Sequence, residues 1–127
     1  MIFINFKTYQ ETTGQNALQL VKVLEETAHE SQIKIIPVVA ATDIKEAVLS
    51  TKLEVWTQKI DPVEFGAHTG AILPEAVLED GAVGTFLNHS ESRFSNFEDL
   101  KRAVERATNV GLKTLIFAAD PTELSQV

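Results

Sequence analysis

The sequence contains no cysteine, and this absence removes several kinds of chemistry at once. Disulfide bonds, thiolate metal sites and cysteine nucleophiles are all excluded. A chain without cysteine suits a reducing compartment, so we expect a cytoplasmic protein. The amino terminus agrees with this expectation, because Met1 leads into IFINF with no basic segment and no cleavage-like site.

Long apolar runs and an excess of basic residues are also missing. No segment approaches the about 18 uninterrupted apolar residues of a membrane-spanning helix, so we expect no membrane partner. The chain has 11 lysines and arginines against 18 aspartates and glutamates, a formal charge of −7. This balance disfavours nucleic acid as a partner. It does not exclude an anionic small substrate, because a few donors in a dry pocket outweigh distant, screened carboxylates.

The sequence does contain a regular alternation of strand and helix patterns. Short runs rich in β-branched and aromatic residues predict strands at 2–6, 33–39, 53–57, 82–87 and 112–118. Amphipathic stripes and helix-start residues predict helices between and after them, at 17–28, 42–48, 74–80, 97–107 and from Pro121. Most of the strands are apolar almost throughout, as expected for a parallel sheet covered on both faces.

Capping residues give the ends of these helices. Thr12 or Thr13 is available to cap the first helix, and Ser95 with Glu98 forms a capping-box pair before the fourth. Gly111 suits the left-handed position that follows a helix end.

Four strand-and-helix units followed by a fifth strand fit two architectures. With right-handed crossovers the strands run parallel, and every loop that follows a strand lies at one edge of the sheet. Either a doubly wound open sheet or part of a (β/α)₈ barrel satisfies this pattern.

Neither GxGxxG nor GxxxxGK[ST] occurs, so dinucleotide and P-loop phosphate binding have no support. No linker interrupts the pattern, and residues 1–127 read as a single domain.

Polar residues crowd the carboxyl ends of two predicted strands. Asn5 and Lys7 follow the first strand, and the stretch GTFLNHSESR carries an apolar run directly into His89 and Glu91. Because the carboxyl ends of parallel strands meet at one edge, a lysine and a histidine placed there can converge on one pocket. Neither residue is specific alone, since a strand-end lysine is commonly solvated and a turn histidine is commonly bonded to backbone.

The combination of motifs resembles triosephosphate isomerase, particularly the shorter archaeal form. NFKTY near the amino terminus and FGAHTGAILPEAVLEDGAVGTFLNHSESR carry the resemblance, which covers essentially the whole chain. Ser92 is a small departure, because a basic or amide residue is commoner at that position. The resemblance implies α/β architecture: a partial (β/α)₈ TIM barrel, roughly (β/α)₄ plus the fifth strand.

The resemblance also implies a reaction and roles for particular residues. The reaction is the interconversion of glyceraldehyde 3-phosphate and dihydroxyacetone phosphate, a step of glycolysis and gluconeogenesis, through an enediolate and without metal or organic cofactor. His89 would be the electrophile, Lys7 a fixed positive charge, and Asn5 a group that orients Lys7 or the substrate. Glu91 matches the family's supporting glutamate, linked to the lysine, better than its proton-abstracting base.

For the remaining residues the predicted roles are mostly structural. The loop 61–72 resembles one that enters a neighbouring subunit, with Thr69 as its tip contact. Arg93 is expected to pair with a carboxylate or a helix end. Trp56 is expected to pack in the core, and His29 to complement the dipole of the first helix.

The resemblance stops after the fifth strand, while the family's short form runs to over two hundred residues. We therefore expect an incomplete domain, inactive by itself because the catalytic glutamate and the phosphate-gripping loops are absent. Its free strand edges suggest a homo-oligomer or a complementary carboxyl-terminal fragment as partner. The alternatives are a non-catalytic partial-barrel assembly module, half of a split enzyme or, less favoured, another phosphosugar isomerase on the same barrel.

Overall fold

The computed structural model describes residues 1–126, and Val127 lies outside the described residues. Within residues 1–126, five strands and five α-helices alternate. The strands are β1 (Ile2–Asn5), β2 (Ile35–Val39), β3 (Trp56–Thr57), β4 (Gly84–Leu87) and β5 (Lys113–Ile116). The helices are α1 (Gln15–Ser31), α2 (Ile44–Ser50), α3 (Pro74–Glu79), α4 (Phe97–Val110) and α5 (Pro121–Leu124). None of these helices is both long and apolar enough to cross a bilayer.

The order of the strands decides between the two predicted architectures. All four neighbouring pairs are parallel, and the strands lie side by side in chain order, β1-β2-β3-β4-β5. A doubly wound sheet reverses its order at a switch point, whereas a barrel adds each strand next to the last. The sheet is therefore one side of a (β/α)₈ barrel, and the prediction of four β/α units plus a fifth strand is confirmed.

Two apolar layers cover the two faces of the sheet. Alternate residues of a strand point to opposite faces, so Phe86 and Leu87 belong to different layers. The layer on the helix side brings strand and loop residues together with Val21, Ile44, Val77 and Leu100 of α1 to α4. The layer on the concave side consists of residues from or beside the strands: Ile36, Val38, Trp56 and Phe86, with Phe3, Val83, Leu115 and Phe117 against them. The expectation that Trp56 packs in the core is confirmed.

The two outer strands are less covered than the three inner ones. The residues of β2 and β4 are buried throughout, whereas β1 and β5 are partly exposed along their length. Within the described residues, each outer strand pairs on one side only. Their free edges carry backbone groups available to another strand, as the sequence predicted.

Helix ends show where the capping predictions are right and where they are wrong. Gly111 is left-handed, with φ of 95°, and ends α4 as predicted. The α4 cap is Asn96 instead of Ser95, because the Asn96 side chain accepts a 2.8 Å hydrogen bond from the Asp99 N–H. The prediction for α1 is also wrong, since its N-cap is Gly14.

The threonines before α1 serve the preceding loop instead. The Thr12 hydroxyl donates to the carbonyl of Phe6, and the Thr13 hydroxyl donates to the carbonyl of Tyr9. The N–H of Gly14 donates to Asp43, which lies just before α2. The threonine side chains therefore hold the turn after β1, and the helix starts only once that turn is complete.

A close approach between β3 and β4 gives the first testable prediction. Gly84 lies so near Trp56 that an added Cβ atom would overlap the indole ring. We expect Gly84→Ala to lower the free energy of unfolding by about 2 kcal/mol, since the buried ring has to move. Urea unfolding followed by far-ultraviolet circular dichroism measures the change, since this signal does not depend on Trp56, the single tryptophan.

The control for this prediction tests the overlap itself. Trp56→Phe provides a smaller ring, so the double variant should lose less stability than the sum of the two single variants. Strict additivity of the two losses would contradict the proposed overlap.

Candidate active site

A cleft opens at the carboxyl ends of the strands. Its volume is about 340 Å³, and residues from the ends of β1, β3 and β4 contribute to its walls. The lining residues are Asn5, Lys7, Thr8, Tyr9, Gln58, Lys59, Phe86, His89, Glu91 and Ser92. The parallel sheet thus brings together side chains that are more than eighty positions apart in sequence.

Lys7 occupies an unusual backbone conformation at the end of β1. Its φ is 52°, in the left-handed region that residues with a Cβ atom seldom adopt. The Lys7 N–H donates to Oδ1 of Asn5 at 2.9 Å, and the Lys7 carbonyl accepts from Nε2 of Gln58 at 2.8 Å. Two side chains therefore hold the peptide groups on either side of the lysine.

His89 lies between two aromatic rings, with a fixed orientation. Its ring is parallel to that of Phe86, with centroids 6.4 Å apart, and meets Phe117 edge-on at 5.0 Å. Nδ1 accepts a 3.1 Å hydrogen bond from the Glu91 N–H. Because Nδ1 is an acceptor in this bond, the neutral ring carries its hydrogen on Nε2.

The two nitrogens that face each other across the cleft are both donors. Oδ1 of Asn5 accepts from Lys7, which turns Nδ2 toward Nε2 of His89 at 3.4 Å. With the hydrogen of His89 on Nε2, neither nitrogen can accept from the other. Both hydrogens are left to donate to one oxygen atom of a bound molecule.

Glu91 connects the lysine loop to the histidine loop. Its Oε2 lies 3.3 Å from Nζ of Lys7, and its backbone N–H donates to Nδ1 of His89 at 3.1 Å. The Lys7 and Glu91 side chains are 36% and 56% exposed, so this pair contributes little to stability, about 1 kcal/mol or less. Its effect is to orient the Lys7 side chain toward the cleft.

A second network fixes the loop that carries His89. Asn88, left-handed with φ of 63°, donates through Nδ2 to the Phe117 carbonyl at 3.0 Å and to Glu123 at 2.7 Å. Arg93 donates to the same oxygen of Glu123 at 2.6 Å. The expectation that Arg93 pairs with a carboxylate is confirmed. Residues around α5 therefore hold both ends of the loop 88–93.

The same contacts change the acidity of Glu123. The backbone N–H of Ala119, 2.6 Å from Oε2, has the largest effect, followed by Arg93 and Asn88. Together they lower the pKa of the Glu123 carboxyl to about 2. The carboxylate form is favoured because every one of these partners donates a hydrogen bond to it.

The structure unites four of the five predicted site residues. Asn5, Lys7, His89 and Glu91 line the cleft, whereas Thr69 does not. Thr69 is exposed in the loop 61–72, whose base is closed by two hydrogen bonds between Asp61 and Ile72.

Sequence reasoning missed Gln58. This residue follows β3 directly, and a polar side chain at the carboxyl end of a parallel strand was the signal that could have identified it.

Parallel strands in chain order, with polar side chains converging at their carboxyl ends, are typical of the amino-terminal half of a TIM barrel. The family model "Triosephosphate isomerase" matches residues 1–124. The chain therefore belongs to the triosephosphate isomerase family.

Individual relatives agree with this assignment. The chain is 43% identical over 116 residues to the triosephosphate isomerase of Methanobacterium bryantii, covering 91% of this chain and 51% of that protein. It is 38% identical over 116 residues to the Metallosphaera sedula protein of the same name, covering 91% and 50%. The chain thus spans about half the length of the curated relatives it matches.

A solved structure supports the fold. The crystal structure of triosephosphate isomerase from Bartonella henselae superposes with a TM-score of 0.78 and 20% sequence identity, covering 91% of this chain and 49% of that one. At this identity the similarity concerns the fold alone.

The pKa of Glu123 gives a prediction about acid stability. Its folded pKa of about 2 lies below the ordinary value of 4.5, so its contacts stabilise the fold above pH 4.5. This stabilisation is lost as pH falls from about 4.5 toward about 2. We expect Glu123→Gln to be less stable than the wild type above pH 4.5, with the difference shrinking toward pH 2.

Chemical denaturation at a series of pH values measures this difference. Glu30→Gln, on the exposed side of α1, is the matched control and should follow the wild-type curve. A constant difference between Glu123→Gln and wild type across the acid range would contradict the account.

Proposed function

We propose that these residues form the electrophilic side of a triosephosphate isomerase site. The reaction is the interconversion of dihydroxyacetone phosphate and glyceraldehyde 3-phosphate through an enediolate. The observation that carries the proposal is the convergence of Asn5, Lys7 and His89 on one cleft at the carboxyl ends of β1 and β4. Membership of the family supports the choice of substrate.

The donors in the cleft suit the charge that develops in this reaction. Removal of a proton next to a carbonyl group places negative charge on the carbonyl oxygen, and preorganised donors lower the barrier most where that charge appears. Nε2 of His89 and Nδ2 of Asn5 lie 3.4 Å apart and can donate to one such oxygen. A neutral histidine as the electrophile is the known pattern in this family. The role of Lys7 is to supply positive charge to the substrate oxygens and phosphate.

Glu91 has the role of a supporting residue in this proposal. Its Oε2 contacts the Lys7 ammonium, and its backbone N–H fixes the tautomer of His89. Among the described residues, Glu91 is the one carboxylate that lines the cleft. We therefore assign proton abstraction to a carboxylate from outside residues 1–126, in a complementary carboxyl-terminal segment or chain.

The proposal extends to the assembly. The free edges of β1 and β5 can pair with strands of that complementary segment. The loop 61–72, with Thr69 exposed, is assigned to contact with a neighbouring subunit. Its two-point closure between Asp61 and Ile72 supports a protruding, ordered loop.

A chimera tests the proposed function. Residues 1–124 would replace the matched half of the Methanobacterium bryantii enzyme, and isomerisation of glyceraldehyde 3-phosphate would be measured. We expect the chimera to be active, and the 127-residue chain alone to stay at the rate of buffer. His89→Gln in the chimera should lower kcat by about a hundredfold or more, the typical cost of removing a donor to a developing oxyanion.

His29→Gln is the matched control, because His29 is exposed in the last turn of α1. It should leave kcat within about twofold of the parent chimera, well short of the loss from a site donor. Isomerase activity of the isolated chain would contradict the assignment of the base to another segment. A folded chimera without turnover would favour the non-catalytic assembly module.

A further inference from the structure

We infer that Gln58 is a positioning residue, which acts on the reaction by holding Lys7 in its left-handed conformation. This inference rests on the proposed function for its catalytic part. Its structural part, the link between Gln58 and the backbone of Lys7, stands on the geometry alone.

The peptide groups of Lys7 lie beyond the regular hydrogen bonding of the sheet. The last backbone bond in the ladder between β1 and β2 is donated by the Phe6 N–H to Val38 at 2.9 Å. One residue later, the N–H and the carbonyl of Lys7 are each bonded to a side chain, Asn5 and Gln58 respectively. The turn is thus held by side chains where the backbone ladder no longer holds it.

The two side chains hold the turn from different sides. Asn5 is two residues from Lys7, at the end of the strand that leads into this loop, so its bond is local and ties the loop to no other strand. Gln58 is 51 residues away and follows β3, so its bond ties the loop to a separate strand of the sheet. This long-range contact fixes the backbone of the loop relative to the rest of the cleft, whereas the contact with Glu91 involves the Lys7 side chain.

The position of Gln58 in the sheet explains how it reaches Lys7. β2 lies between β1 and β3, and neighbouring strands are about 4.8 Å apart, so the side chain has to cross the end of β2. The residues that follow β2 are Ala40 and Ala41, whose side chains are short. The end of β2 therefore leaves room for a glutamine to pass.

Lys7 needs this support more than most residues would. A left-handed lysine is strained, and such conformations persist only when the surrounding structure determines them. Without the Gln58 donor, the Lys7 carbonyl loses its partner and the residue can relax toward negative φ. That relaxation would redirect the side chain whose Nζ lies 3.3 Å from Glu91, and small errors in the placement of such a group are costly to catalysis.

Gln58→Met is the test variant, because methionine is similar in length and cannot donate a hydrogen bond. Nuclear magnetic resonance on the 127-residue chain gives the structural readout. The intraresidue amide–Hα Overhauser effect is strong for positive φ, so we expect a strong signal for Lys7 in the wild type and a weak one in Gln58→Met. Gln19→Met, on the exposed side of α1, is the matched control and should keep the strong signal. A strong Lys7 signal in Gln58→Met would overturn the inference whatever the enzyme activity.

A double-mutant cycle in the chimera gives the catalytic readout. We expect Gln58→Met to lower kcat/KM by about tenfold or more when Lys7 is present. In a Lys7→Ala background the same change should cost less than about twofold, because a residue that acts through Lys7 has no effect once Lys7 is gone. Equal losses in both backgrounds would overturn the positioning role.

The two readouts separate this inference from the proposed function. An active chimera with equal losses in the two backgrounds removes the role of Gln58 and leaves the isomerase assignment intact. A folded but inactive chimera removes the isomerase assignment, and the Lys7 signal then decides alone whether Gln58 holds the turn.

Discussion

The parallel direction of the five strands is the constraint on which the rest of the structure depends. It forces each loop that follows a strand to the same edge of the sheet, so that Lys7 and Glu91, 84 positions apart, come within 3.3 Å. It also requires a helical return after every strand, which covers the outer face with α1 to α4. The concave face is left to aliphatic and aromatic side chains from or beside the strands. One topological choice therefore yields both the core and the cleft.

The two loops that carry the cleft's polar side chains leave their strands in the same way. Lys7 after β1 and Asn88 after β4 are both left-handed, with φ of 52° and 63°. Such residues cost about 1–3 kcal/mol each and need compensation from their surroundings. In both loops, side-chain hydrogen bonds provide it: Gln58 reaches the first loop from β3, and Glu123 reaches the second from α5. Each strained turn is thus tied to an element distant in sequence, which fixes its side chains relative to the sheet.

The elements of the fold could be predicted from the sequence because their causes are local. Hydrophobic period and the residues at helix ends are read within a few positions, which is why Pro74 and Gly111 were placed correctly. The α1 cap was wrong for the opposite reason, since Thr12 and Thr13 are bonded to the carbonyls of Phe6 and Tyr9 in the preceding loop. Strand order is a long-range property, and from pattern alone both the open sheet and the barrel remained possible.

In the site, too, features with local causes could be predicted from the sequence and long-range features could not. Strand-end position made Lys7 and His89 candidates and the family resemblance selected them, but no local pattern reveals that Gln58 crosses the end of β2. Nor does a local pattern show that Asn5 orients its amide to leave a donor facing His89. Those features depend on which side chains meet once the sheet has formed.

The electrostatics of the cleft explain how a chain with a net charge of −7 is compatible with the anionic substrate that we propose. Carboxylates farther away than about 8 Å are largely screened at physiological salt, so the groups that line the cleft decide. Among these, Glu91 faces Lys7 and offsets part of its charge. An ammonium group has three hydrogens, and Glu91 occupies one of them. Under the proposed function, the other two hydrogens of Lys7 act with Nδ2 of Asn5 and Nε2 of His89 as donors to the oxygens of an anionic substrate.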